Sequence, residues 1–119
     1  MDLHIKNKLA LVTGASRGIG RAIAASLARE GARLILVARS QEQLEVVRKE
    51  IATTDQKHYC YAIDLMAEDG VACLIKSITT DLGDPDIIVH NLGGSFGIPA
   101  FSPSEDWKKV WQFNVGIGH

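Results

Sequence analysis

The residues from Thr13 to Gly20, Thr-Gly-Ala-Ser-Arg-Gly-Ile-Gly, combine the types and spacing that can hold a phosphate. Gly14, Gly18 and Gly20 form G-x-x-x-G-x-G, which differs from the G-x-G-x-x-G dinucleotide fingerprint and lacks the Lys-Ser/Thr of a P-loop. Gly14 is expected to make the tight turn, Gly18 to let backbone approach a ligand, and Gly20 to let the following helix pack closely on the strand. A strand that feeds a helix through glycines leaves unpaired backbone N–H groups at the helix start, where the macrodipole favours negative charge. The stretch is therefore expected to be a pyrophosphate cradle. The alternative is a glycine-rich strand-to-helix turn with no ligand, and the flanking elements bear on which reading holds.

Lys8 to Val12 is a short apolar run that reads as the strand before the turn, and Arg21 to Glu30 is an alanine-rich segment with helical spacing after it. Gly31 sits where a left-handed C-cap belongs. Arg33 to Ala38 is a second strand at the distance a βαβ unit requires; apolar on both faces, it belongs in a covered parallel sheet. Ser40 can cap a helix whose Leu44, Val47 and Ile51 share one face, with Glu42, Glu45, Arg48 and Lys49 mostly elsewhere. Lys57 to Ile63 has strand propensity, Ala67 to Leu82 is helical in spacing, and Gly83-Asp84-Pro85 breaks it before the apolar strand Ile87 to His90. Leu92 to Pro103 reads as loop, and Ser104 opens a last helix carrying Trp107, Val110, Trp111 and Asn114. The order β-α-β-α-β-α-β, plus the start of a further helix, implies a parallel sheet with right-handed crossovers and a ligand beyond the carboxyl ends of its strands.

The bulk properties narrow the classes. A chain of 119 residues, 46% apolar and 23% charged, can bury roughly two-thirds of its extended surface around one core. Its 13 basic and 14 acidic residues are interspersed and sum to −1, so no basic stripe calls for nucleic acid or an anionic membrane surface. No apolar run reaches the ~18 residues of a membrane span and Met1-Asp2-Leu3-His4 opens no signal peptide, so a cytoplasmic location is expected. Cys60 and Cys73 fall in a predicted strand and a predicted helix, outside any C-x-x-C or histidine cluster; they are expected to be buried free thiols, with no disulfide and no metal.

This pattern resembles the short-chain dehydrogenase/reductase family, and in particular its 3-oxoacyl-carrier-protein-reductase-like members. Thr13 to Gly20 matches the family's Thr-Gly-x-x-x-Gly-x-Gly in full, which marks Thr13, Gly14, Ser16, Arg17, Gly18, Ile19 and Gly20 as the cofactor-binding turn. The resemblance covers the whole chain. It implies an α/β, Rossmann-type doubly wound sheet of strand order 3-2-1-4, truncated, with residues 1–119 a single dinucleotide-binding domain incomplete at its carboxyl end. Asp64-Leu65 looks like the family's Asp-Leu/Val pair, in which the carboxylate and the next N–H hold the adenine; read locally, Asp64 is a turn aspartate. His90-Asn91-Leu92-Gly93 falls where the family carries Asn-Asn-Ala-Gly, so Asn91 and Gly93 match and two positions differ. Read alone, His90 is a hydrogen-bonded core residue rather than a catalyst. Asn114 aligns with the catalytic-helix asparagine that is implied to hold a water linking the catalytic lysine to solvent. In relatives this last helix lies at a subunit interface, which implies a homo-oligomer.

Charge bears on the cofactor's sugar. Where an NAD site would place Asp or Glu on the ribose 2′-OH, this chain has Ala38 followed by Arg39. Arg39 and Arg17 supply guanidinium groups that can pair with a 2′-phosphate, which favours NADP(H) over NAD(H). The other reading of both is solvent-exposed arginine. The family's catalysis needs a serine and a Tyr-x-x-x-Lys pair, the lysine lowering the tyrosine pKa so that it exchanges a proton with a carbonyl or alcohol oxygen. Of the two tyrosines, Tyr59 is followed four places on by Ile63 and Tyr61 by Leu65, so neither makes the motif. In the family these residues come later than the point this chain reaches, so the 119 residues are expected to be inactive alone. The implied activity is hydride transfer between NADPH and a small carbonyl substrate such as an acyl thioester. A non-catalytic NADP(H)-binding module or a truncated remnant is the alternative. A chain ending within that last helix is also expected to leave the fourth strand with a bare apolar edge.

Overall fold

A computed structural model of the chain describes residues 5–52, 56–91 and 100–103. The elements run β1 (Leu9–Thr13), α1 (Gly18–Arg29), β2 (Arg33–Ala38), α2 (Gln41–Ile51), β3 (Tyr59–Ala62), α3 (Gly70–Asp81), β4 (Ile87–His90) and β5 (Ala100–Pro103). The sheet order is β3-β2-β1-β4-β5. Its first four strands are parallel, with Val12 level with Leu36 on one side and Val89 on the other, and they keep the expected order 3-2-1-4. This is the doubly wound arrangement, with a mixed edge.

That edge departs from expectation. Leu92 to Pro103 reads as loop, yet Ala100–Pro103 pairs antiparallel with β4, His90 level with Ala100 and Ile87 with Pro103. A proline argues against a strand only where both edges are hydrogen-bonded; a short edge strand tolerates it. The unpaired groups of β4 supply the driving force, so β4 does not end in a bare edge. The helix expected from Ser104 lies outside the described residues.

Alternation along the strands builds a core on each face. Ala10, Val12, Leu34 and Leu36 point to one side, where Ala24, Leu27 and Ala28 of α1 and Leu44, Val47 and Ile51 of α2 meet them. Leu9, Leu11, Ile35, Val37 and Ile88 point to the other and meet Leu74 and Ile78 of α3. Each of the leucines, isoleucines and valines among them contributes roughly 2 kcal/mol by burial. Ser40 caps α2 as expected, its Oγ accepting from the Gln43 N–H at 3.2 Å. Arg21 and Glu50 tie α1 to α2 in a two-point ion pair, both ends about half exposed, so the pair is worth under ~1 kcal/mol.

The cysteines correct one expectation. Both are free, but Cys60 is half-buried and Cys73 is exposed, because the helix that buries Leu74 and Ile78 turns position 73 outward. Burial, then the charge of Glu45, pushes the Cys60 thiol up to about 11, which leaves it protonated and a poor nucleophile at neutral pH.

Side chains extend the ladder where strands begin. Asp86 donates its N–H to the Leu9 carbonyl at 2.7 Å and accepts the Leu9 N–H on Oδ2 at 2.9 Å. His58, buried just before β3, accepts the Leu34 N–H on Nδ1 at 3.0 Å, a bond that needs that nitrogen unprotonated. Burial holds His58 and His90 below the ordinary 6.5. A base with a depressed folded-state pKa adds stability above its unfolded value and loses it as pH falls through the folded one. The melting temperature is thus expected to be flat from pH 8 to 7 and to drop as pH falls below about 6.5. His58→Asn, which keeps an acceptor in place of Nδ1, is expected to make the drop shallower in a thermal-melt series, leaving the share due to His90.

Candidate cofactor-binding site

The four parallel strands end on one rim, and the residues that follow them, Gly14, Arg39, Asp64 and Asn91, border a cleft of about 1120 Å³. Ser16, Arg17, Gly18 and Ile19 of the turn and the start of α1 form one wall. Val37, Ala38, Ser40 and Gln43 lie along the end of β2 and the entry to α2, with Leu65 and Met66 after β3.

The turn is set by backbone crowding. Gly14 and Gly18 have φ of +61° and +63°, the left-handed region where a side chain is strained. A Cβ on Gly20 would stand 2.1 Å from the Gly14 carbonyl oxygen, and one on Gly14 would stand 2.6 Å from that of Asn91. Gly20 thus lets the helix pack on the turn itself. Gly18 differs, since nothing lies within 4 Å of where its Cβ would be. The sequence places the helix start at Arg21, but α1 begins at Gly18, so the last two glycines form its first turn. No side chain caps that turn and it holds no acidic residue, whereas α2 has the Ser40 cap and Glu42. The first turn of α1 therefore offers its own amide dipoles neither a capping side chain nor an acidic residue.

Thr13 stands behind the cleft. It is fully buried, and its Oγ1 accepts the Asn91 N–H at 2.7 Å and donates to the Asn91 carbonyl at 3.0 Å. His90 Nδ1 is 3.2 Å from the same oxygen, which places His90 in the hydrogen-bonded core. Thr13 and Gly20 therefore shape the site without lining it. Asp64 lines the cleft and also closes its own turn, Oδ1 accepting the Met66 N–H at 3.0 Å. Gly70 packs so tightly on that turn that a Cβ would lie 2.1 Å from the Asp64 carbonyl oxygen. Arg17 and Arg39 are exposed at the cleft, and among the described residues neither guanidinium meets a carboxylate. Gly93 and Asn114 lie outside the described residues. Among those described, no group of three or more His, Cys, Asp and Glu could hold a metal ion, and no helix is long and apolar enough to cross a membrane.

Sequence reasoning missed Val37, Ala38, Ser40, Gln43 and Met66 as lining residues. Ser40 reads fully as a cap, and Gln43, three residues on, shares its side of the helix; that i, i+3 pair was the available signal. Met66, 49% exposed, carries no periodic signal.

Among known families, the short chain dehydrogenase profile matches residues 8–116. The chain belongs to this family. Among curated proteins, it is 38% identical over 117 residues to an uncharacterized oxidoreductase of Bacillus subtilis, YvrD, covering 97% of this chain and 43% of that one. The L-sorbose reductase of Gluconobacter frateurii, solved with NADPH and L-sorbose, superposes with a TM-score of 0.74 at 30% identity, covering 98% of this chain and 46% of that one. A metagenomic short-chain oxidoreductase in complex with NADP gives a TM-score of 0.69 at 39% identity, covering 76% and 41%. The chain spans less than half the length of these relatives.

The two kinds of glycine are expected to respond differently. Gly20→Ala forces a methyl onto a carbonyl oxygen and is expected to cost about 3 kcal/mol or more of stability. Gly18→Ala bears only the left-handed φ, about 1–2 kcal/mol. Urea melts of the two variants measure this difference.

Proposed function

We propose that residues 1–119 form a single dinucleotide-binding domain, incomplete at its carboxyl end, of an oxidoreductase that transfers hydride between NADPH and a carbonyl or alcohol substrate. The observation that carries this reading is the cleft itself: an uncapped helix start with no acid in its first turn and Gly18 open beside it, with Arg17 and Arg39 exposed in the same lining. The residues fit the cofactor. The N–H groups of the first turn of α1 would hold the pyrophosphate, with Ser16 and Ile19 beside it. Arg17 and Arg39 would pair with the 2′-phosphate, which makes NAD(H) the poorer ligand. Asp64, whose second carboxylate oxygen is left over from its turn, and the Leu65 N–H would hold the adenine, and Asn91 and Gly93 would border the nicotinamide side. When bound, the nicotinamide supplies the hydride, and this domain positions it. The solved relatives named with NADPH and NADP support the same cofactor.

The rest of the reading rests on the resemblance: a 3-oxoacyl-type thioester as substrate, Asn114 in the catalytic helix, and a homo-oligomer. Two free cysteines fit a reducing, cytoplasmic location. The second reading is a module that binds NADP(H) without turnover, and the two tyrosines of the chain fit both readings, since neither makes a Tyr-x-x-x-Lys pair. Tyr61 donates its hydroxyl to Asp81 at 3.0 Å, and burial followed by that bond pushes its pKa up to about 12, the wrong direction for acid–base work near neutral pH.

Fluorescence titration is expected to give tighter binding of NADPH than of NADH. Arg17→Ala/Arg39→Ala is expected to weaken NADPH on the order of 100-fold, the loss of two charge-assisted bonds, and to leave NADH unchanged. Equal affinity for the two cofactors overturns the assignment. The 119-residue chain is expected to show no NADPH oxidation with a β-ketoester. Sequencing the transcript past the His119 codon then separates the readings: continuation into a serine and Tyr-x-x-x-Lys supports the oxidoreductase, and a natural stop supports the module.

A further inference from the structure

The Thr13 hydroxyl has one proton and two lone pairs, and three partners crowd it. The Asn91 N–H must donate to it, at 2.7 Å, and the Asn91 carbonyl, an acceptor, takes its proton at 3.0 Å. One lone pair is left, and His90 Nδ1 lies 3.2 Å away. The three bonds coexist only if Nδ1 carries a hydrogen and donates. We infer that His90 is a positioning residue for the cofactor turn: as the Nδ1–H tautomer it fixes the direction of the Thr13 hydroxyl, and through it the seat of Asn91 against Gly14 and Gly20.

The opposite tautomer presents a lone pair at Nδ1 and competes for the one hydroxyl proton, which takes the Thr13 bond away from the Asn91 carbonyl. That carbonyl is the atom on which Gly14 sits, 2.6 Å from where a Cβ would be, while Asn91 Nδ2 stands 3.0 Å from the corresponding point on Gly20. Asn91 also lines the cleft. A shift of Asn91 therefore passes directly into the turn that begins α1. Burial, with His90 4% exposed, keeps the ring neutral, as a single fixed tautomer requires. This position is where the chain departs from the asparagine of the family pattern, and an asparagine amide nitrogen can stand in the place of Nδ1 and donate in the same way.

The consequence for binding rests on the NADPH reading above; the tautomer does not. Two measurements on the 119-residue chain separate them. Long-range ¹H–¹⁵N NMR, with His90 assigned by comparison to His90→Asn, is expected to show Nδ1 protonated and Nε2 with the shift of an unprotonated nitrogen. An Nε2–H tautomer, or equal exchange between the two, overturns the inference whether or not NADPH binds. In NADPH titration, His90→Leu is expected to raise Kd about tenfold, one buried hydrogen bond, and His90→Asn to restore it to within about threefold. Equal affinity in wild type and His90→Leu overturns the positioning role. Wild type that binds no NADPH while showing the Nδ1–H tautomer sinks the cofactor reading and leaves the Thr13 geometry supported.

Discussion

The domain depends on one close approach: the carbonyl oxygen of Gly14 occupies the space where any side chain on Gly20 would begin. That contact draws the start of α1 down onto the end of β1, and no other residue type permits it. With the helix held there, its first residues border the cleft, and the turn between the two glycines rises as one wall with Gly18 at its open point. The sheet supplies the opposite constraint. Its strands end level with one another, so the residues after β1, β2, β3 and β4 are gathered on one rim by register alone.

Three polar side chains extend that register where backbone pairing runs out. Asp86 serves β1 where β4 begins, His58 serves β2 where β3 begins, and Thr13 serves the backbone N–H and carbonyl of Asn91 where β4 ends. Each meets a backbone group that burial would otherwise leave costly, on the order of 1–3 kcal/mol apiece. All use short, stiff side chains, which lose little rotamer freedom. The Thr13 bonds also fasten the central strands to the glycine turn, so strand pairing and site shape are held by the same atoms.

Much of this was legible in the chain. Leu34 to Ala38 and Ile87 to Val89 are uninterrupted apolar runs, and the strands there, Arg33–Ala38 and Ile87–His90, have the ends expected. Leu44, Val47 and Ile51 repeat at helical spacing and are buried together. The site was legible where a residue type has few other uses: glycines between strand and helix, arginines where an acid was due. It was illegible where the decisive partner is distant in sequence. Thr13 reads as the first letter of a motif, and only the fold brings it to Asn91, 78 residues away. Ala100–Pro103 pairs because β4 has groups to share, not because its own residues favour a strand. Cys73 reads as buried from composition, and one step of helix rotation exposes it.

The missing cap on α1 has a thermodynamic meaning of its own. A serine or aspartate at that position would stabilise the helix by about 1 kcal/mol, as Ser40 does for α2. The chain holds Arg17 there instead, with no side-chain bond to those amides, which on the reading proposed above an incoming anion would take. An occupant present at a hundred times its dissociation constant adds about 2.7 kcal/mol to the folded state. On the cofactor reading proposed above, the folded fraction, and with it resistance to proteolysis, would rise with the supply of that anion.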